Sequence, residues 1–262
     1  MGDMVALRRR LDDLGSVVVA FSGGADSAFL AWMARDTLGD DALAVTAVSP
    51  SLASEELADC AALAREWELR WARVDTDELA DPNYVANDGD RCAHCKTQLM
   101  TALAPMAAAR GATVVLGVNL DDLGDHRPGQ RAAADRGGVF PLVEAGFTKD
   151  EIRAESRRLG LRTWDKPAAA CLASRVPYGT PVTLGVLESV ARAESGLRSL
   201  GFRQLRVRHY DALARIEVPT DELGRVVELR DQVLAAVQAA GYTYVTLDLE
   251  GFRSGNLNRG LA

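Results

Sequence analysis

The 262-residue sequence lacks features that define several classes of protein. It has no run of about 20 apolar residues, which is the length a membrane-spanning helix needs. Residues 1–15 are charged and do not contain the apolar core of a signal peptide. We therefore expect no membrane contact and a cytoplasmic location. Internal repeats and low-complexity segments are also lacking.

Positive charge and cysteine are both scarce. Lys and Arg number 30 against 37 Asp and Glu, a net charge of −7. This balance disfavours nucleic acid as a partner, because such binding relies on cations that neutralise phosphates. The four cysteines are expected to be reduced in the cytoplasm. Two of them, Cys92 and Cys95, are spaced C-x-x-C, which indicates metal or sulfur chemistry rather than a disulfide.

The first two-thirds of the chain alternates strand-like and helix-like stretches. Short apolar runs predict strands over residues 17–21, 42–49, 70–75 and 112–118. Alternation at this spacing predicts an α/β fold with a parallel sheet covered by helices on both faces. A ligand is then expected at the carboxyl ends of the strands. Thr148 and Glu151 form a capping-box pattern that predicts the start of a later helix.

The last third has a different pattern. Residues 166–181 contain three prolines and no sustained period, and we interpret them as an ordered loop at a domain junction. Beyond this loop the pattern predicts helices over 182–201 and 223–241, and strands over 203–210, 214–219 and 242–249. The sequence thus predicts a parallel-sheet domain over 1–178 and a small α+β domain over 179–262.

The stretch "SGGADS", Ser22 to Ser27, follows the first predicted strand. Gly23 and Gly24 allow a tight turn whose N–H groups face an anion, and Asp26 and Ser27 open a helix whose positive end favours phosphate. The motif is neither a Walker A sequence nor G-x-G-x-x-G. The alternative is a tight connection in which a Ser or Asp caps the helix. Strand, loop and apolar helix together favour the anion site.

Other polar groups are candidates for the same chemistry. Asp121, Asp122 and Asp125 follow a predicted strand, where carboxylates hold Mg²⁺ or cap the loop. Arg127 is a candidate phosphate contact. Arg206 and Arg208 are two residues apart on a strand and share one face, which suits bidentate phosphate binding. The alternative for this pair is an exposed charged face.

Four stretches of the sequence together resemble those of a known family. "SGGADS" resembles the PP-loop of ATP pyrophosphatases, which cleave ATP between its α and β phosphates and hold the pyrophosphate on the loop. With "RCAHCK", "GVNLDDLGDHRPGQRAA" and "CLASRVPYGTPVT", the chain resembles the LarE-type sulfur transferases. These enzymes make the sulfur-bearing pyridinium nucleotide of the nickel-pincer cofactor. The resemblance covers most of the chain.

The resemblance implies an activity and a set of site residues. ATP, with Mg²⁺, adenylates a carboxylate of a pyridinium mononucleotide, and sulfur displaces AMP to give a thiocarboxylate. The resemblance also implies self-association and a second-domain part of the active site that includes Glu194 and Glu217, either of which could bind metal. The nucleotide and substrate phosphates are assigned to Ser22, Gly23, Gly24, Asp26, Ser27, Arg127, Arg206 and Arg208.

The family offers two sulfur sources, both of which involve Cys171. In one branch this cysteine gives up its own sulfur and becomes dehydroalanine. In the other, it joins a C-x-x-C pair to hold a [4Fe–4S] cluster with one iron left open. The presence of Cys92, Cys95 and Cys171 favours the cluster, and zinc at these residues with His94 is a further alternative. Cys60 lies on an apolar helix face and is expected to be buried.

Three other functions are compatible with parts of the sequence. A tRNA-thiolating PP-loop enzyme also pairs this loop with cysteines, but it would need a basic RNA surface. An amidating synthetase would need ammonia from a glutaminase, which nothing in the sequence resembles. A nucleotide-binding regulator would hold ATP without releasing pyrophosphate.

Overall fold

The computed structural model describes residues 2–124, 128–167 and 170–253. Its strands are β1 (Val17–Ala20), β2 (Ala42–Val48), β3 (Trp71–Asp75), β4 (Thr113–Leu116), β5 (Arg206–Tyr210), β6 (Leu213–Glu217) and β7 (Tyr244–Leu247). Its helices are α1 (Met4–Leu14), α2 (Ala25–Leu38), α3 (Ser54–Glu66), α4 (Pro82–Ala86), α5 (Arg91–Ala108), α6 (Pro128–Ala134), α7 (Pro141–Glu144), α8 (Lys149–Arg158), α9 (Leu184–Ser199), α10 (Leu223–Glu228) and α11 (Arg230–Ala239).

The chain divides into two compact units. The first comprises Met1–Asp81 and Asp90–Ala169, and the second comprises Pro82–Gly89 and Ala170–Ala262. These units follow from contacts within the chain, and the predicted division between residues 178 and 179 stays a prediction. Among the helices of the described residues, none combines the length and the apolar character that crossing a membrane would take.

The first unit is built on a parallel sheet with strand order β3-β2-β1-β4. Val17 and Val19 of β1 pack into one buried cluster, and Val18 packs into another on the opposite face. Burying a side chain of this size contributes about 1.5–3 kcal/mol, so covering both faces stabilises a strand with no polar side. The predicted parallel sheet and its four strands are confirmed within a few residues at each end.

Helix α8 begins at the capping box that the sequence predicted. The Thr148 hydroxyl accepts the N–H of Glu151 at 3.4 Å, and the Glu151 carboxylate accepts the N–H of Thr148 at 2.9 Å. Accepting this backbone N–H lowers the pKa of Glu151 to about 2. The cap therefore fixes where α8 starts, and with it the positions of Lys149 and Arg153 on its first two turns.

The second unit is a small α+β structure, as predicted. Strands β5 and β6 are antiparallel, and β7 joins β6 in parallel. The prediction of one helix over residues 223–241 is wrong, because α10 ends at Glu228 and α11 starts at Arg230. The residue between them, Leu229, has a ψ of 16°, which departs from helical geometry and breaks the helix.

Segment 82–89 belongs to the second unit through the side chain of Asn87. Asn87 is fully buried and has a φ of +57°, a left-handed conformation that asparagine tolerates. Its side-chain amide donates to the backbone carbonyls of Pro177 and Thr180 at 2.7 and 2.8 Å. The backbone carbonyl of Asn87 accepts the N–H of Gly179. These bonds hold the loop that follows residue 175.

Gly117, just after β4, provides a test of the packing beneath the β1–α2 connection. A Cβ at this position would lie 2.7 Å from the backbone nitrogen of Ser27, too close for any rotamer to relieve. We expect Gly117→Ala to lower the free energy of unfolding by about 1–3 kcal/mol, measured by urea denaturation. Gly224→Ala is the matched control, because a Cβ there meets nothing within 4 Å. Equal stability of both variants would contradict the packing described.

Candidate active site

The loop between β1 and α2 exposes the start of a helix. Gly23 has a φ of +70°, and a Cβ on it would lie 2.9 Å from Cys60 Sγ, so the position requires glycine. Gly24 is the N-cap of α2 and no side chain caps the helix, so the alternative of a Ser or Asp cap is wrong. The Ser27 hydroxyl instead donates to Gly24 O at 3.1 Å. The uncapped N-terminus is free to receive an anion.

Asp26, in the first turn of α2, faces groups from the β4 end and from α8. Burial raises the pKa of its carboxyl, and nearby Asp122 raises it further, while Lys149 and Arg153 act in the opposite direction. Among the described residues, neither Asp26 Oδ1 nor Asn119 Nδ2 has a hydrogen-bond partner, although the Asn119 amide lies close enough to influence the carboxyl. Such buried unsatisfied groups mark a place where a ligand would bind.

This cluster includes residues that sequence reasoning did not select. Asn119 is fully buried and exchanges hydrogen bonds with Asp122, one from each backbone N–H to the other's side chain. Asp121 accepts the N–H of Lys149 at 2.6 Å and so ties the loop after β4 to the start of α8. The predicted residues Asp125 and Arg127 lie outside the described residues.

Cys92 and Cys95 lie in the first turn and a half of α5. Three residues apart on a helix, they lie on the same face. Cys92 is exposed and Cys95 is half-buried. Between them in sequence, His94 Nδ1 lies 3.1 Å from Asp81 Oδ2.

Cys171 lies in the second unit and is exposed. It directly precedes a single 3₁₀ turn, Leu172–Arg175. The Arg175 guanidinium reaches back along this turn, and its Nη1 donates to Ala170 O at 2.6 Å, Cys171 O at 3.1 Å and Ser174 Oγ at 3.0 Å. These hydrogen bonds from Arg175 fix the backbone of Cys171, while the thiol of Cys171 stays exposed on the surface of the unit.

Glu194, on α9, anchors this guanidinium. Its Oε1 accepts from Arg175 Nε at 2.8 Å and from Val207 N at 3.1 Å, and its Oε2 accepts from Arg175 Nη2 at 3.1 Å and from Arg198 Nη2 at 2.9 Å. Four donors fill the lone pairs of a carboxylate. A metal ion on Glu194 would have to displace one of them. The assignment of Glu194 as a catalytic residue and metal ligand stays a prediction.

Glu217, on β6, anchors a second guanidinium. Its Oε2 accepts from Arg208 Nη2 at 2.8 Å, and its Oε1 accepts from Arg215 Nη2 at 3.3 Å. Arg208 Nη1 donates in turn to Ser174 O at 2.8 Å. Two buried carboxylates thus hold two arginines at the turn that follows Cys171. Glu194 holds Arg175, which ends this turn, and Glu217 holds Arg208, which donates to it. The metal-binding assignment of Glu217 also stays a prediction.

Arg206 differs from its strand neighbour Arg208, although both are buried and the alternative of an exposed face is wrong. Among the described residues its guanidinium forms no hydrogen bond or ion pair, and it stacks 4.7 Å from the Phe252 ring centroid. Burial, followed by the charges of Arg175 and Arg208, lowers the pKa of Arg206 to about 10. It remains cationic near neutral pH, so it is an unmatched buried charge suited to an anion.

The structure also bears on Cys60, on disulfides and on groups that could bind metal. Cys60 is fully buried, which confirms the expectation for it. All four cysteines lie in the described part of the chain and form no disulfide. Within either unit, residues 2–124, 128–167 and 170–253 contain no group of three His, Cys, Asp or Glu side chains placed to hold a metal ion. The cluster on Cys92, Cys95 and Cys171 stays a prediction.

These features define an α/β protein with a parallel-sheet unit, whose first strand leads through a glycine turn into a helix, and a small α+β unit that presents a thiol beside buried arginines. The chain is 40% identical to the pyridinium-3,5-bisthiocarboxylic acid mononucleotide synthase of Lactiplantibacillus plantarum, over 95% of this chain and 91% of that protein. The chain belongs to this family, the LarE-type sulfur transferases.

Two uncharacterized proteins are also similar over nearly their full lengths. One, from Synechocystis sp., is 48% identical over 97% of this chain and 96% of its own. The other, from Methanocaldococcus jannaschii, is 25% identical over 91% of each chain. No family model matches the sequence.

Proposed function

We propose that the protein is an ATP-dependent sulfur transferase that converts a carboxylate of a pyridinium dicarboxylate mononucleotide into a thiocarboxylate, a step in nickel-pincer cofactor biosynthesis. A carboxylate resists nucleophiles, so it must first be activated. Its oxygen attacks the α-phosphorus of ATP, and pyrophosphate leaves. A sulfur nucleophile then attacks the carbonyl carbon, and AMP leaves with the electrons of the C–O bond. The name of the L. plantarum relative supports this product.

The first unit supplies a site for the phosphates of ATP. The uncapped start of α2 offers N–H groups to the pyrophosphate portion. Mg²⁺ fits at Asp26 and Asp122, because Asp26 Oδ1 is a buried oxygen without a partner and its pKa is raised, a condition that a bound cation relieves. When bound there, Mg²⁺ would neutralise phosphate charge. Lys149 and Arg153 would add positive charge on the other side.

The second unit supplies a site for the phosphate of the mononucleotide. The observation that carries the proposal is that buried Arg206, which has no ion-pair partner in the part of the chain that the structure describes, shares this unit with the exposed thiol of Cys171. Arg208, which also contacts Glu217, holds the turn after Cys171. An anion on Arg206 would therefore place the substrate on the same rigid set of residues that positions the sulfur.

The sulfur source has two forms within this proposal. Cys92, Cys95 and Cys171 are thiols, the donors that a [4Fe–4S] cluster needs, and three of them leave one iron without a protein ligand. Such a cluster would supply sulfur as sulfide. In the sacrificial form, the Cys171 thiolate itself attacks the adenylate. Its Cβ–S bond then breaks with loss of the Cα proton, leaving dehydroalanine.

Pyrophosphate release tests the proposal. With ATP and Mg²⁺, we expect release that requires the pyridinium dicarboxylate mononucleotide. Release stimulated by tRNA instead would favour a thiolating enzyme of RNA, and no release with either would favour a regulator that only binds nucleotide. Self-association and a cytoplasmic location stay predictions.

A further inference from the structure

A partly buried lysine lies beside the β1–α2 loop. Lys166 follows α8 in the chain, and its Nζ lies 3.7 Å from where a Cβ on Gly23 would be. The same point lies 2.9 Å from Cys60 Sγ, so the ammonium group and this thiol both lie beside the backbone of the loop. The Lys166 side chain is only 16% exposed.

Two carboxylates on α3 hold the ammonium group in place. Lys166 Nζ donates to Glu56 Oε2 at 2.8 Å and to Asp59 Oδ2 at 2.6 Å. Burial acts to lower the pKa of Lys166, but these two bonds outweigh it and the pKa is raised. An ammonium has three N–H donors, so one remains after both bonds are made. Lys166 is therefore charged, oriented and still able to donate.

The backbone of Lys166 is fixed independently. Arg153 donates from Nη1 to Trp164 O and from Nη2 to Lys166 O, both at 2.8 Å. The same guanidinium lowers the pKa of Asp26 through its charge. One arginine thus connects the residues around Asp26 to the segment that carries Lys166. Asp59 is in turn paired with Arg162 at 2.7 Å, so one of the two carboxylates that hold Lys166 has a second cation beside it.

We propose that Lys166 is a further ATP-binding residue, whose ammonium group contacts the β and γ phosphates when they lie on the Gly23–Gly24 loop. The inference rests on the proposed use of ATP. Glu56 and Asp59 hold the ammonium from one side, as supporting residues do in preorganised sites.

Binding of ATP and of AMP, measured separately by calorimetry, tests this inference. AMP lacks the β and γ phosphates, so a lost contact to them should not affect its binding. We expect Lys166→Met to weaken ATP binding about tenfold to hundredfold and to leave AMP binding unchanged. Lys166→Arg should restore part of the affinity for ATP. Arg158→Met is the matched control, because this exposed cation of the same unit pairs with Glu155 rather than with the carboxylates that hold Lys166, and it should leave both affinities unchanged.

The possible outcomes separate the inference from the proposed function. If Lys166→Met binds ATP with the wild-type affinity, the inference is overturned but the proposed function is not. The same holds if the variant loses affinity for ATP and for AMP by the same factor. Failure of the wild type to bind ATP would overturn the proposed function as well. If Lys166→Met does not fold, Lys166→Gln keeps donors for the two carboxylates without the charge, and the same comparison decides.

Discussion

Replacing Cys171 by alanine is expected to abolish thiocarboxylate formation, a loss of at least several orders of magnitude. The thiol is either the sulfur that is transferred or a ligand of the cluster that supplies it, so neither route survives its removal. Activation of the carboxylate uses other residues, and pyrophosphate release in the first turnover should persist. Product formation measured by mass spectrometry, alongside pyrophosphate release, checks both expectations. Normal product from Cys171→Ala would contradict the role of this residue.

Cys92→Ala is the informative companion variant. If the three cysteines hold a cluster, this variant loses iron, acid-labile sulfide and product together. If Cys171 is sacrificed, Cys92→Ala keeps its activity, and dehydroalanine appears at position 171 after one turnover. Cys60→Ala serves as the control, since Cys60 is a buried side chain in the core of the first unit and belongs to neither route.

Replacing Arg206 by methionine is expected to raise the KM for the mononucleotide roughly 100-fold, as the loss of a charge-assisted contact to phosphate predicts. Within the described residues its guanidinium would lose only its stacking on Phe252 and no hydrogen bond or ion pair, so the fold should be less affected than by a change at Arg208. Steady-state kinetics give the KM. Arg203→Met, at an exposed arginine of the same unit, is the matched control.

A dephosphorylated substrate tests whether Arg206 acts through the phosphate of the mononucleotide. If Arg206 binds the phosphate, the variant and the wild type should use the nucleoside equally poorly. A KM effect of the same size with and without the phosphate would show that Arg206 acts on another part of the substrate or only on folding.

Much of the fold was predictable because its signals are local. The apolar run of β1 has both faces buried, and the Thr148 cap needs only Glu151, three residues on. The break at Leu229 was missed because the flanking residues keep a helical pattern. Only the backbone torsion at that residue shows where the helix ends.

Candidate site residues could be selected from the sequence where they lie within one contiguous motif. "SGGADS" indicated an anion site from six residues, and Cys171 was selected by its own segment. The pairing of Glu194 with Arg175 was not predictable, because nothing in the sequence indicates that Arg175 turns toward α9. Lys166 was missed for the same reason, since it meets Glu56 from 110 positions away. Long-range pairs of side chains are set by packing, which local patterns do not encode.

The measurement that tests the central claim most directly is mass analysis of the pyridinium mononucleotide after incubation with anaerobically purified protein, ATP and Mg²⁺. The account predicts a product in which sulfur has replaced an oxygen of one carboxylate, formed together with AMP and pyrophosphate. Unchanged mononucleotide recovered from a reaction in which ATP has been cleaved to AMP would contradict it.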